Sequence, residues 1–202
     1  MSLRFGHKVF SRPDGSSAES WEPFTCAYCG AEVSGAVIAT VGDGIGRLLK
    51  FLQCSKCHEG SVATGRGEIF PGVAFGPPLR GLPSDVEAAY GEARRCLSVN
   101  ANTAAEAMCR KLLMHIAVDK GAKEGQTFAS YLEYLEQSGY VTPPMRGWIR
   151  LIKDHGNDSQ HRLQSPDRMR AEGTLTFTAQ LLRIVYEMEH LATTFAPSVR
   201  DG

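Results

Sequence analysis

Charge of one sign is missing from this sequence. Lysine plus arginine number 22 and aspartate plus glutamate number 22 over 202 residues, so the formal net charge is zero. A chain without a global basic field does not advertise nucleic acid or an anionic membrane as its partner. Long apolar runs are missing as well. None approaches the ~18 residues of a membrane span, so no membrane partner is expected. The opening Met-Ser-Leu-Arg-Phe-Gly has no apolar signal-peptide core. Cysteine is sparse, six in all, and Cys96 and Cys109 stand apart from the other four. That usage fits the reducing cytoplasm. What is present is a hydrophobic content of 43 %, enough for a packed core in one or two domains.

The other four cysteines form two pairs, Cys26-Ala27-Tyr28-Cys29 and Cys54-Ser55-Lys56-Cys57, with 24 residues between them. Each Cys-x-x-Cys knuckle brings two thiolates to one side, and a hairpin between the knuckles folds them together around one tetrahedral zinc ion. A redox pair or two disulfides are the alternatives. A redox Cys-x-x-Cys usually stands alone near a βαβ pattern, and none is visible here. Four thiolates leave no open position on the metal, so the expected Zn2+, one per chain, is structural.

In chain order, residues 1–23 are polar and bear Gly, Ser and Pro, an arm that is mobile when alone. Residues 24–82 read as a zinc ribbon and linker. Val33–Val41 is a short, partly β-branched apolar run, Gly42-Asp43-Gly44 is a turn signal, and Ile45–Gln53 returns the chain to the second knuckle. Gly30 follows the first knuckle, where a tight turn favours positive φ. Ile69–Phe75 offers a further strand, and Pro77-Pro78 and Pro83 mark the linker.

From Ser84 the period becomes 3.6, and residues 83–196 read as a helical bundle. Ser84-Asp85-Val86-Glu87 and Thr103-Ala104-Ala105-Glu106 have the form of capping boxes. Val86, Ala89, Tyr90, Ala93 and Leu97 share one helix face, and Ala105, Met108, Cys109, Leu112 and Ile116 the next. A third helix is expected over about Phe128–Ser138. A fourth starts at Thr142-Pro143, carries Met145, Trp148, Ile149 and Ile152, and stops near Gly156. Ser165-Pro166 is one more start signal. The last helix, about Arg170–Phe195, buries Leu175, Leu182, Val185 and Met188. The expected class is therefore α+β: a small zinc ribbon followed by an up-and-down bundle of about five helices.

Residues 143–170 carry six basic residues (Arg146, Arg150, Lys153, Arg162, Arg168, Arg170) against three aspartates, whereas residues 20–82 are neutral. A phosphate-binding face is therefore sought on the bundle, at Arg146, Arg150, Lys153 and Arg162, rather than on the ribbon. A solvated helix face is the simpler reading of such a run.

The run from Leu82 to about Phe195 contains Leu82-Pro83, then Tyr90-x-Glu92-Ala93-x-x-Cys96-Leu97. Ala104-Ala105 follows, with Arg110, Leu112 and Leu113 behind it, and then Gly156-Asn157-x-x-x-His161. In these features it resembles the domain-of-unknown-function family numbered 4145, which is similar to the HEPN superfamily (higher eukaryotes and prokaryotes nucleotide-binding). The resemblance implies a helical bundle that dimerises, and a possible metal-independent ribonuclease. In such ribonucleases an arginine, a polar residue and a histidine from two copies meet across the dimer. Histidine then serves as acid and base on the ribose 2′-hydroxyl, and arginine holds the phosphate. Asn157 and His161 match the polar residue and the histidine. Gly156 stands where the arginine belongs, and Lys153, one turn away, has no planar fork with which to replace it. Arg150-x-x-x-x-His155 has the bare spacing but lies out of register.

Two functions follow as expectations. The first is a non-catalytic interaction or nucleic-acid-associated module, a helical homodimer joined through its last helices or the Trp148 helix. In it the ribbon or the arm would receive a protein partner, RNA or DNA is a further candidate partner, and prokaryotic or phage defence is the setting. The second is a ribonuclease that uses His161, Asn157, Lys153 and Arg150 with a degenerate arginine position.

Overall fold

A computed structural model describes residues 20–42, 48–159 and 165–196, with the backbone alone for residues 153–159. The chain divides into two compact units, residues 1–74 and 75–202. The architecture is α+β, with an antiparallel sheet in the first unit and helices in the second.

The sheet has five strands in chain order: β1 (Trp21–Thr25), β2 (Glu32–Gly42), β3 (Leu48–Gln53), β4 (Gly60–Thr64) and β5 (Ile69–Phe70). All neighbours are antiparallel. β1 takes in Trp21–Pro23, which the sequence reading assigned to the polar arm. Pro23 cannot donate a ladder hydrogen bond, and an edge strand is where that is tolerated. Alternation sorts the side chains. Phe24 pairs with Val33, Val37 with Leu52, and Ala63 with Ile69. These residues lie in one small core built on buried Phe24, Val37 and Leu52 with Cys26 and Cys54. The Phe24 ring lies over Gly35, where any Cβ would collide with it. A register shift between Val37 and Ala39 breaks the β2–β3 ladder. Beyond it Val41, Leu49 and Phe51 emerge on the surface at 50, 38 and 38 % exposure. The further strand expected over Ile69–Phe75 is only the two-residue β5. Pro71 follows at once, and its missing N–H ends the ladder.

The second unit holds α1 (Ser84–Ser98), α2 (Asn102–Asp119), α3 (Phe128–Gln137), a 3₁₀ turn (Pro143–Met145) and α4 (Arg146–Ser159). Then come α5 (Arg168–Leu182), a π-helical turn (Arg183–Glu187) and α6 (Met188–Phe195). The core centres on α2, which packs on α1, α3 and α5. Its buried face is Ala105, Cys109, Leu112, Leu113, Ile116 and Ala117, meeting Leu175, Phe177 and Leu182 of α5. Among the described residues, no helix is long and apolar enough to cross a membrane.

Several helix ends differ from the sequence expectation. Neither capping box forms: Pro83 precedes α1 and Ala101 precedes α2, and neither gives a side-chain cap. The Glu106 carboxylate faces Arg170 instead of the helix start. Asp167, not Ser165, caps α5 by accepting the Arg170 amide at 2.8 Å. Thr127 likewise caps α3. α4 does not stop at Gly156 but runs to Ser159, since a glycine weakens a helix without ending it. The last helix begins two residues earlier than expected and is interrupted by the π turn, which rotates the face that follows. Met188, expected in the core, is 55 % exposed.

Residues 75–82, read as the approach to a linker, are strapped to the helices. The Arg94 guanidinium donates to the carbonyls of Phe75 and Gly76, each at 2.9 Å. The Tyr90 hydroxyl donates to the Pro77 carbonyl at 2.9 Å. The Arg80 amide donates to Glu187 Oε1 at 2.9 Å, so the carboxylate of the π turn holds the strap's far end. Gly76 has φ +82° and lies against Leu175 and the Tyr90 hydroxyl, so a side chain is excluded there by conformation and by space.

Candidate metal centre

The two knuckles are the loops of two hairpins. Cys26 and Cys29 lie between β1 and β2, and Cys54 and Cys57 between β3 and β4. β2 starts beside the end of β3, as Ala36 pairs with Gln53. Antiparallel pairing thus places both loops at one end of the sheet. Each knuckle closes the same way. Cys26 N–H donates to Ala31 O at 3.0 Å and Gly30 N–H to Cys26 O at 2.9 Å. Cys54 N–H donates to Glu59 O, and His58 N–H to Cys54 O, both at 3.0 Å. The residue after each second cysteine is left-handed: Gly30 has φ +67° and His58 has φ +64°. The sequence signalled the first through glycine. It hid the second, because residues other than glycine adopt that region in only a few per cent of cases.

The four sulfurs lie within 4.8 Å of one another. Cys26 and Cys57 sulfurs are 3.6 Å apart, and Cys29 and Cys54 sulfurs 3.8 Å apart. A tetrahedron of thiolates at a zinc–sulfur distance of about 2.3 Å has edges of about 3.8 Å. The cluster therefore has the dimensions of a four-thiolate metal site, and the donor set suits a thiophilic ion. Cys26 and Cys54 are buried; Cys29 and Cys57 are partly open to solvent.

The thiols of the cluster differ in their readiness to ionise. Burial raises the Cys54 thiol, but the Cys57 and Lys56 amides, which donate to its sulfur at 3.5 and 3.4 Å, outweigh burial and hold it at about 7. Burial pushes Cys26 upward and Cys57 to about 12, the latter reinforced by its neighbouring cysteines. Cys54 is prepared as a thiolate, and Cys26 and Cys57 resist ionising beside it. A divalent ion removes that conflict by binding all four as thiolates.

The phosphate-binding and catalytic candidates fare differently. Arg146, Arg150, Lys153 and Asn157 are all on α4. Their i, i+4, i+7 and i+11 spacing sets them on one helix face. Arg146 is engaged with Glu136, its Nε 3.3 Å from the carboxylate. Arg150 is exposed. The side chains of Lys153 and Asn157 are outside what is described, and His161 and Arg162 lie outside the described residues altogether. The structure thus brings the four cysteines together and assembles no catalytic group from the described side chains.

Sequence reasoning missed two features of the helical unit. Arg170 forms a two-point ion pair with Glu106, at 2.9 and 2.7 Å, between α5 and α2. Trp148, Leu151 and Met169 are exposed together at 41, 54 and 79 %, around a cavity of about 300 Å³ between α4 and α5. The signal for the second was available in the apolar Trp148 and Leu151 of α4 and Met169 of α5.

Among known proteins, a family model described as "Domain of unknown function (DUF4145)" matches residues 91–197. No curated protein and no solved structure matches the chain.

Proposed function

We propose that this chain, which belongs to the DUF4145 family of domains of unknown function, is a non-catalytic interaction protein: a HEPN-like helical unit that carries a structural zinc ribbon as its docking module. The observation that carries the reading is the four-cysteine cluster. Its four sulfurs lie within 4.8 Å of one another, so a Zn2+ held by all four would have no position for water or substrate and would serve to hold two hairpin loops together. The sheet built on that centre displays apolar surface at Val41, Leu49 and Phe51. Lys50, which alternates with them on β3, is paired to Glu22. A neutral, apolar sheet face of this kind suits a protein partner better than a phosphate backbone.

A nucleic-acid role would rest on the α4 face that carries Arg150 and Lys153. A ribonuclease would also use Asn157 and His161. Gly156 counts against it, because it stands at the motif position whose arginine would supply the cation for the pentavalent phosphate. Losing one such preorganised group costs about 10²- to 10³-fold in rate. The test is an RNA-cleavage assay in chelator on the wild type and His161→Ala. The interaction reading expects no turnover from either. Multiple turnovers by the wild type that vanish in His161→Ala would overturn it and establish the ribonuclease.

A further inference from the structure

We propose that Cys29 is the oxidant-sensitive corner of the four-cysteine centre: a peroxide reaches its sulfur across Gly30, oxidises it before the other three, and so costs the centre its metal. The proposal rests on the zinc-ribbon reading above and gives that centre a modification site.

The two knuckles are alike in backbone and unlike in cover. Cys26 and Cys54 are buried, so Cys29 and Cys57 are the two sulfurs of the four within reach of a reagent. Behind Cys57 stands His58, half-buried with its Nδ1 enclosed, and then Glu59, which is buried. Behind Cys29 stands Gly30, which is exposed, and a Cβ built there would meet nothing within 4 Å. Tyr28, on the other side of Cys29, is 54 % exposed. The first knuckle is therefore open at the position where the second carries a packed side chain.

Hydrogen bonding separates the two reachable sulfurs. The Cys54 sulfur accepts the Lys56 and Cys57 amides at 3.4 and 3.5 Å. The Cys29 and Tyr28 amides bond to the Cys26 sulfur, and the Glu59 amide bonds to that of Cys57. Among the described residues, the Cys29 sulfur faces the Cys54 sulfur at 3.8 Å and accepts no backbone amide. An amide that bonds to a thiolate stabilises its charge and ties up a lone pair, which lowers its nucleophilicity. Oxidation follows thiolate character and exposure together. Cys29 is the corner that combines the two.

The chemistry takes two steps. The Cys29 thiolate attacks one oxygen of hydrogen peroxide: an S–O bond forms, the O–O bond breaks and hydroxide leaves. Cys29 is then a sulfenic acid, oxidised by the two electrons that reduced the peroxide. The Cys54 thiolate, facing it at 3.8 Å, attacks that sulfur; an S–S bond forms and a second hydroxide leaves. A disulfide takes two thiolates from the donor set, and metal affinity and the order of the sheet unit fall with them.

The experiment starts from the full-length protein with its zinc content measured. Limiting hydrogen peroxide is added, each cysteine is followed by peptide mass spectrometry after thiol blocking, and released zinc is read with a chromogenic chelator. Cys29 should be oxidised roughly tenfold faster than Cys57, with Cys26 lagging further. Zinc should appear in step with Cys29 loss, and a Cys29–Cys54 disulfide should accumulate. Gly30→Asn sets a side chain across the path, and asparagine tolerates the left-handed backbone there. This variant should hold the same zinc and lose Cys29 severalfold more slowly. Cys57 reacting first in zinc-loaded protein, zinc retained after Cys29 is oxidised, or an unchanged rate in Gly30→Asn would each overturn the proposal and leave the zinc ribbon standing. A protein that binds no zinc at the outset would overturn the ribbon reading itself, and this proposal with it.

Discussion

Stripping the metal from the four-cysteine centre should unfold the sheet unit and spare the helices. The perturbation is an excess of a high-affinity chelator, or Cys54→Ser, which removes a buried ligand. The apolar core of the sheet consists of Phe24, Val37 and Leu52, with two of the cysteines completing it. At about 1.5–3 kcal/mol per buried side chain, those three contribute roughly 5–9 kcal/mol. Binding of a structural zinc ion by four thiolates contributes about 10–16 kcal/mol at neutral pH. On the zinc reading a bound metal would be the larger stabiliser, and what remains without it would not order the strands. The helical core is a separate cluster running from Leu79 to Tyr186 and shares none of these residues. Hydrogen exchange read by mass spectrometry resolves the two units. With chelator, amides of β2 and β3 should exchange at near-unfolded rates while those of α1 and α2 keep their protection. Unchanged protection in β2 and β3, with metal loss verified, would refute the reasoning. Protection lost in both units at once would refute the independence of the helices.

Two further outcomes follow from the helical unit. Glu106→Ala breaks a two-point contact at a site where Glu106 is 6 % exposed. It should cost about 3 kcal/mol, the lower end for a buried pair because the Arg170 side chain is 21 % exposed and water reaches it. That lowers the melting midpoint by roughly 10 °C. Breaking the exposed Arg168–Glu172 pair should cost less than about 1 kcal/mol, and equal losses in the two variants would contradict the assignment. Glu187 supplies an acid-sensitive contribution. Burial pushes its carboxyl up, but hydrogen bonds from Arg183 and the Arg80 amide outweigh burial and hold it below its ordinary 4.5. A carboxyl depressed in the folded state stabilises it fully above the unfolded value, and the contribution is lost as pH falls through the folded one. Stability measured by urea unfolding should therefore fall below about pH 4.5 in the wild type and fall less steeply in Glu187→Gln; identical acid limbs would remove Glu187 from this role.

The parts of the structure that were legible in the sequence are those governed by local spacing. The two Cys-x-x-Cys pairs placed the four-cysteine cluster because a knuckle is a local device and its partner differs only in position. The apolar stripes of α1 and α2 placed their buried faces because the helical period survives in Val86, Tyr90 and Ala93 and in Cys109, Leu112 and Ile116. Legibility ended where a side chain had two uses. Glu106 has the form of a capping residue, yet it serves a long-range ion pair with a residue 64 positions away, which no window of sequence contains. Met188 obeys the helical period of the last helix, and the π turn inserted at Arg183–Glu187 shifts that period before reaching it. The strap over residues 75–82 has the proline content of a linker, but Tyr90, Arg94 and Glu187 bind its backbone. Backbone carbonyls do not show in composition.

Native mass spectrometry of the full chain, purified without chelator, tests the central claim most directly. The expected spectrum shows one zinc ion per chain in the wild type and its loss in Cys54→Ser, with the sheet amides of that variant unprotected. A wild type that carries no metal, with Cys26, Cys29, Cys54 and Cys57 recovered as disulfides or as freely alkylated thiols in a folded sheet, would contradict the account.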